Sequence, residues 1–369
     1  MPAQVLHPAP VRSKHAWSYR LSVAFLVLFA ALALMADVIP LSFGPAELDL
    51  RNLYQPPFQW NLYTTQHPFH WLGTDQLGRD VLSNLVFGCR TALLVSFPAM
   101  VLAVTIGLLL GGTAGYFGDR SLRISRAGWL AGPPVLFLSY FYAFYLRQMD
   151  LREAFGQSTW VGLKEFLLSL LLFLTISLLF YPLKHLFKRW PALRISTPFP
   201  ADTLVLKTVE LLASVPNLVL ILALASLFKP SIGLLVGITG LTFWPEPARL
   251  IRAEVLSIRD QAFIESARAM GASHWYILFR HALPNAFSPV LVAFSFGVGR
   301  LMALESTLSF LGFGVPPDTP SWGRLVNGMR ANLEAWWLVV LPGLVLCLTV
   351  LSIHRITAEL SRPPGRKSS

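Results

Sequence analysis

Few residues in this chain have both the type and the spacing to do chemistry. His67 and His70 are three residues apart, but no carboxylate or third ligand stands at a suitable distance, so the pair predicts a surface loop rather than a metal site. Cys89 and Cys347 are the chain's two cysteines, too few for a disulfide framework or a Cys-rich metal site, and they read as filler within helices. No Ser/His/Asp set or paired carboxylates stand out, which argues against an integral-membrane enzyme. The chain also has no Gly-x-x-x-x-Gly-Lys-Ser/Thr phosphate loop, so it brings no means of handling ATP. Glu210, Glu246, Arg300 and Glu305 fall in or beside apolar blocks, where an ionisable group is a functional hint by default. Each has a milder reading. Glu246, between Pro245 and Pro247, suits the cytoplasmic end of a helix, and Glu305 suits structural hydrogen bonding near an outer end.

These residues must be positioned by helices that cross a bilayer. The chain has 369 residues, 54% hydrophobic and 13% charged, about half the charge of a soluble domain. The apolar residues come in blocks. That from Leu21 to Val38 carries no charge before Asp37 and is long enough for one crossing. Spans of roughly 17–25 residues are expected to begin near Leu21, Thr91, Ala127, Glu165, Lys207, Ser231, Ala286 and Trp337. The fold class is therefore all-α, a polytopic membrane helical bundle of about eight transmembrane helices. Gly132-Pro-Pro134 interrupts the third. The start of the chain, with Arg12, Lys14 and Arg20 before the first block, could pass for a signal peptide, but the length of that block favours an uncleaved span.

Net charge is +11, yet the basic residues lie between the apolar blocks, as cytoplasmic loop charges do, and nucleic acid is not expected as a partner. With both termini cytoplasmic, the inside segments hold 20 of the 30 Lys and Arg residues, and every inside segment is basic. Leu41–Gly88 and Ser309–Trp336 are then the large outside segments. Trp60, Trp71, Trp322, Trp336 and Trp337 suit the membrane–water boundary. Gly107, Gly111 and Gly115, and again Gly233 and Gly237, recur every four residues and allow close approach of a second helix.

One inside segment stands apart: Ile264-Glu-Ser-Ala-Arg-Ala-Met-Gly-Ala-Ser-His-Trp-Tyr-Ile-Leu-Phe-Arg-His-Ala-Leu-Pro-Asn285. It predicts a short amphipathic helix, a change of direction at Gly271, and a second short helix stopping ahead of Pro284. Two readings follow from the residues alone: a protruding dock for a partner, or an amphipathic loop resting on lipid headgroups.

Glu265-Ser-Ala-x-x-x-Gly271, followed at the family's spacing by Leu283-Pro284, resembles the EAA loop of binding-protein-dependent ABC importer permeases. Ser266 stands for the usual Ala and His281 for the usual Ile. Arg280-His-Ala-Leu-Pro-Asn285 resembles the dipeptide/oligopeptide/nickel branch, as do Leu72–Val81 and Glu305–Gly314 with Pro320-Ser-Trp-Gly323. The matches resemble the second permease subunit of the pair, over roughly residues 15–120 and 200–355. That resemblance implies a gated pathway shared with a second permease subunit, in bacterial inner-membrane lipid. It implies two cytoplasmic ATP-binding subunits that use the ATP, so no cofactor for this chain, and an extracytoplasmic solute-binding protein. The solute would be a peptide or a related small solute, nickel chelates included. Glu265, Ser266, Ala267, Gly271, His281, Leu283 and Pro284 would form the ATPase-coupling loop. Within it Glu265 would meet basic or backbone donors, Gly271 would set the turn, and Leu283 and Pro284 would end the knob.

The resemblance divides the chain into a cytoplasmic N-terminus with first span (1–40), an extracytoplasmic loop (41–88) and a permease core (89–369). It lapses after Gly115-Tyr-Phe-Gly118-Asp119 and resumes at Asp202-Thr-Leu204, 83 residues later. Residues 121–200 hold two apolar blocks, which return the chain to the side it left, and are expected to form an inserted helical hairpin. A self-sufficient secondary transporter would instead show inverted repeats and charge relays in broken helices, and no convincing internal repeat is visible. Deletion of Ser121–Pro200 with rejoining should leave a foldable core; complete loss of membrane insertion in that deletion would count against a peripheral hairpin.

Overall fold

A computed structural model describes residues 12–58, 69–157, 159–182, 187 and 189–360. In chain order the elements are α1 (Arg12–Met35), α2 (Val81–Phe117), β1 (Arg123–Ser125), α3 (Arg126–Tyr140), α4 (Gln148–Gln157) and α5 (Thr159–Phe180). Then come β2 (Ser196–Pro198), α6 (Ala201–Ala213), α7 (Asn217–Ala225), α8 (Ile232–Phe243), α9 (Pro245–Ile258) and α10 (Ala262–Ala269). The chain closes with α11 (His274–Ile277), α12 (Leu283–Asn285), α13 (Phe287–Leu311), α14 (Trp322–Gly328) and α15 (Trp337–Leu360). This is a mostly helical, polytopic membrane protein.

Among the described residues, five helices are long and apolar enough to cross a bilayer: Trp17–Met35, Val81–Phe117, Trp160–Phe180, Phe287–Leu311 and Trp337–Glu359. Two bent pairs bring the number up to seven if each is one span, where eight were expected. The span expected from Ser231 is the 12-residue α8, and a helix needs about 20 residues to traverse the hydrocarbon core. The span expected from Lys207 is α6 and α7, bent by 80° at Ser214-Val-Pro216, because a proline turns the residue before it away from helical dihedrals. In the third span, Pro133 and Pro134 lie inside α3, and the break comes later, at a wide π-helical turn over Phe141–Tyr145. The second span starts at Val81 rather than Thr91, because Asp80 Oδ2 accepts from Ser83 N at 2.8 Å and caps it.

The chain divides into two compact units. The first comprises 1–106, 215–247 and 286–369. Here α1 lies along α15, with Arg355 Nη2 donating to Ser18 Oγ at 2.9 Å, and α13, α14 and α15 pack together. Segments 41–88 and 309–336 are stitched by tryptophans. Trp322 and Trp337 are buried; their indole nitrogens donate to the carbonyls of Leu85 and Thr74, each at 3.1 Å. An enclosed indole needs such an acceptor for its N–H. Trp71 and Trp336 are exposed, and Trp60 lies outside the described residues. A Cβ on Gly88 would stand 2.5 Å from the Trp322 ring, so α2 reaches the indole only as glycine.

His70 is buried, contrary to the surface loop expected for it. Its ring stacks on Phe43 at 3.8 Å, with Asp80 Oδ1 2.9 Å from Nδ1 and Asp49 Oδ2 3.5 Å from Nε2. Those carboxylates come from well outside the local spacing that the sequence displays. His67 lies outside the described residues. Glu305 is enclosed and accepts from Ser309 Oγ at 2.7 Å and Ser321 Oγ at 2.9 Å, the structural role considered for it. Gly237 meets nothing within 4 Å of a built Cβ; in α8 it is Gly240 that admits a neighbour, Leu102, at 2.6 Å.

The second unit comprises 107–214 and 248–285. Its residues 121–200 begin and end on a two-stranded antiparallel sheet, with Arg123 opposite Pro198, Ile124 opposite Thr197 and Ser125 opposite Ser196. Between the strands, α5 packs on α3 and α4. Arg147 joins them, its Nη2 2.5 Å from Glu165 Oε2 and its Nη1 donating to Ser169 Oγ at 2.9 Å.

Trp322→Ala should destabilise the detergent-solubilised protein by about 3–5 kcal/mol, the range for removing an enclosed indole. A thermal-shift measurement on the purified chain checks this.

Candidate functional site

The segment that the sequence singles out is built on two helices of the second unit. From Gly107 to Phe117, α2 runs against α9 from Ala248 onward. A Cβ at Gly111 would lie 2.3 Å from the Ala248 carbonyl oxygen, and one at Gly115 2.7 Å from that of Arg252. The expected close approach is therefore made here, backbone to backbone. Arg259 Nη1 donates to the Gly115 carbonyl at 3.3 Å across the same seam.

On the other side of α9, Arg252 makes a two-pronged ion pair with Asp202. Nε meets Oδ1, and Nη2 donates to Oδ2 at 2.6 Å. This pairing pushes the guanidinium further above its ordinary range. Asp119 accepts from the Thr203 hydroxyl at 2.6 Å and the Thr203 backbone N–H at 2.9 Å. Those bonds hold its carboxyl below the usual range. The N-terminus of α6 is thus tied both to α9 and to the turn after α2.

The knob itself follows. Ile264 and Ala267 face inward from α10, while Glu265 and Ser266 are exposed. Gly271 has φ +83°, a left-handed conformation that reverses the chain, and a Cβ there would meet nothing within 4 Å. Ser273 then caps α11, its Oγ accepting from Tyr276 N at 3.3 Å. The second helix does not stop ahead of Pro284. A π-helical turn over Leu278–Ala282 leads into α12, which contains Pro284. A proline early in a new helical segment forfeits an N–H that has no partner there anyway, so the chain passes through it.

The structure separates the seven expected loop residues by exposure. Glu265, Ser266, Gly271 and Pro284 are exposed, His281 is half-buried, and Ala267 and Leu283 are enclosed. Leu283 fills the space that a Cβ at Gly112 would take, its Cδ2 only 2.7 Å away, and so anchors the knob to α2. Ser266 Oγ donates to its own helix at Ala262 O, 2.8 Å away, and the His281 ring lies 5.6 Å from Tyr276. Outside this set, no spacing in the sequence joins Tyr116 and Phe117 to His274 and Trp275. Tyr116 Oη and His274 Nδ1 are 3.2 Å apart, and Phe117 and Trp275 have ring centroids 4.9 Å apart. Gly115-Tyr-Phe-Gly118 was legible as a motif, but nothing in it points to residues 158 positions away.

The outer surface of the knob carries Phe263, Met270, Trp275, Tyr276 and Phe279, all exposed, beside Glu265, Arg268 and Arg280. Among the described residues, the Glu265 carboxylate has no partner.

Residues 192–360, which contain the knob, match the family of binding-protein-dependent transport system inner membrane components. This is a permease-like membrane protein, related to the permease subunits of ABC importers. The chain is similar to a putative peptide permease protein of Brucella suis biovar 1 (strain 1330), 29% identical over 342 residues, covering 91% of this chain and 84% of that one. It is similar to the dipeptide transport system permease protein DppC of Alkalihalophilus pseudofirmus, 25% identical over 340 residues and covering 91% and 83%. The glutathione transport system permease protein GsiD of Pectobacterium atrosepticum is 26% identical over 286 residues, covering 77% and 68%. The matched family is one of transport-system components.

Two substitutions test the geometry of the knob. Gly111→Val should cost about 1–3 kcal/mol of stability through overpacking against α9, read by thermal shift. Gly271→Ala should cost about 1–2 kcal/mol through backbone strain alone, read as faster hydrogen exchange confined to residues 262–285.

Proposed function

We propose that this chain is one of two permease subunits of an ATP-driven importer that moves peptides or a related small solute into the cytoplasm. Both termini are cytoplasmic in this reading, in a bacterial inner membrane. Two ATP-binding subunits sit below and a solute-binding protein delivers from outside. The observation that carries the proposal is the knob from Glu265 to Pro284. Leu283, His274 and Trp275 hold it to α2, while an uncommitted carboxylate and five large apolar side chains are exposed.

Each part of the loop then has a task. Glu265 accepts hydrogen bonds from basic or backbone donors in a groove of the ATPase, and charge assistance strengthens them. Phe263, Met270, Trp275, Tyr276 and Phe279 supply the apolar contact, where aromatic residues dominate binding energy. Gly271 fixes the angle between the two arms. Ala267 and Leu283 pass displacement inward, because they are packed and not free to slide. When the ATPases close on ATP the knob moves with them, and the seam at Gly111 and Gly115 carries that movement to α2. Residues 121–200 are a helical hairpin inserted into the permease core; the paired strands at its ends let it stand aside from this path.

Co-purification followed by an ATPase assay tests the proposal. With Glu265→Ala combined with Gly271→Pro, which no proline φ can satisfy at +83°, the ATP-binding subunits should be lost from the purified complex and uptake should fall to background. Retention of both would refute the docking role. Transport by the isolated chain in liposomes without ATP would replace this reading with an ion-driven carrier.

A further inference from the structure

Arg300 is the fourteenth of the 25 residues of α13, close to the middle of a span whose other charged residue is the enclosed Glu305. It is not enclosed. Its side chain is 53% exposed and is ion-paired through Nη1 to Oε2 of Glu246, itself 68% exposed. The guanidinium carbon lies 5.6 Å from the centroid of the Phe243 ring, which gives the pair an apolar floor. Glu246 stands at the start of α9, facing the centre of α13.

The same face of α13 carries Phe296, Arg300, Thr307 and Leu311, all exposed and all within a narrow arc at helical spacing. Hydrocarbon is a poor neighbour for this face. A charged group at mid-span is strongly disfavoured against lipid and is found facing a bundle interior or a water-filled cavity. An ion pair with both members exposed also keeps unused hydrogen-bonding capacity: three guanidinium N–H groups at the least and the second carboxylate oxygen.

We infer that Arg300 and Glu246 line the solute pathway and recognise a zwitterionic solute of the peptide class. The solute's carboxylate takes the guanidinium, and its ammonium group takes the Glu246 carboxylate. The two protein charges neutralise each other when the pathway is empty, so no bare charge is left at mid-span, and they exchange partners when a solute arrives. This rests on the importer reading and adds to it a place and a charge pattern for the solute.

The test uses thiol labelling in membranes of cells that express the full complex. Cys347, which is exposed, is replaced by Ser, and Cys89 is buried. Ala303→Cys, one turn from Arg300, is the reporter. Leu171→Cys, on the outward-facing α5, is the lipid control. A membrane-impermeant cationic methanethiosulfonate should label the reporter at least about tenfold faster than the control, because the reaction runs through a thiolate that needs water. Millimolar dialanine should slow reporter labelling severalfold, and Arg300→Gln or Glu246→Gln should abolish that protection.

Labelling at the control rate overturns the pathway placement. Fast labelling that dialanine does not slow overturns the zwitterion assignment. The exchanged pair, Glu246→Arg with Arg300→Glu, separates recognition from a strut. It keeps the ion pair and the fold, so protection that survives the exchange makes the pair merely structural and defeats the inference. Failure of the importer reading appears separately, as ATP-binding subunits missing from the purified complex, while the labelling ratio is still read in the same membranes.

Discussion

The approach of α2 to α9 governs the part of the second unit that carries the knob. At Gly111 and Gly115 one helix backbone meets the other with no side chain between them. Without that proximity, Arg259 would not reach the Gly115 carbonyl and Leu283 would not fill the space beside Gly112. In a bilayer, apolar residues gain little from leaving lipid for each other. Association there depends on close packing and on polar contacts made at short range. The ion pair of Arg252 with Asp202 and the Asp119–Thr203 bonds sit at the margin of the seam, where polar groups are affordable. Together they make a rigid base from which a short loop can stand out.

The first unit is held by a different device. Its segments 41–80 and 312–336 have little regular structure, and their hydrogen-bonding needs are met one contact at a time. Two enclosed indoles donate to carbonyls of distant segments, Tyr54 Oη donates to Gly328 O at 3.0 Å, and Glu305 gathers Ser309 and Ser321. Arg324 adds bonds to the carbonyls of Val315 at 2.8 Å and Thr319 at 3.0 Å. Loops of this kind are ordered by polar pins that span long sequence separations, since they have no ladder or helix to satisfy the backbone.

This difference explains what could be read from the residues alone. Long apolar blocks identify helices because the bilayer demands them, and α13 and α15 begin within a residue of where composition places them. Gly271 was legible as a reversal, and the amphipathic pattern around it as two short helices. The failures share one cause. His70 was read as part of a surface loop and is buried, and the partners of Trp322, Trp337 and His70 lie 237, 263 and 10 residues away. Hydropathy cannot tell an indole that sits in headgroups from one pinned inside. Likewise α8 is as apolar as a span but too short to be one alone, and the 80° bend between α6 and α7 depends on a single proline. Within the knob, the sequence named the residues yet could not divide those that face out from those that hold on.

The strands β1 and β2 have an implication for how such a chain can change. Because Arg123 and Pro198 lie opposite each other, the excursion between them leaves and returns at one place. The closure entropy of a loop grows only with the logarithm of its length, so a long excursion from fixed ends costs little more than a short one. The clasp therefore works as a socket. What is plugged into it can lengthen, shrink or be exchanged for another pair of helices without the rest of the molecule having to be rebuilt around it.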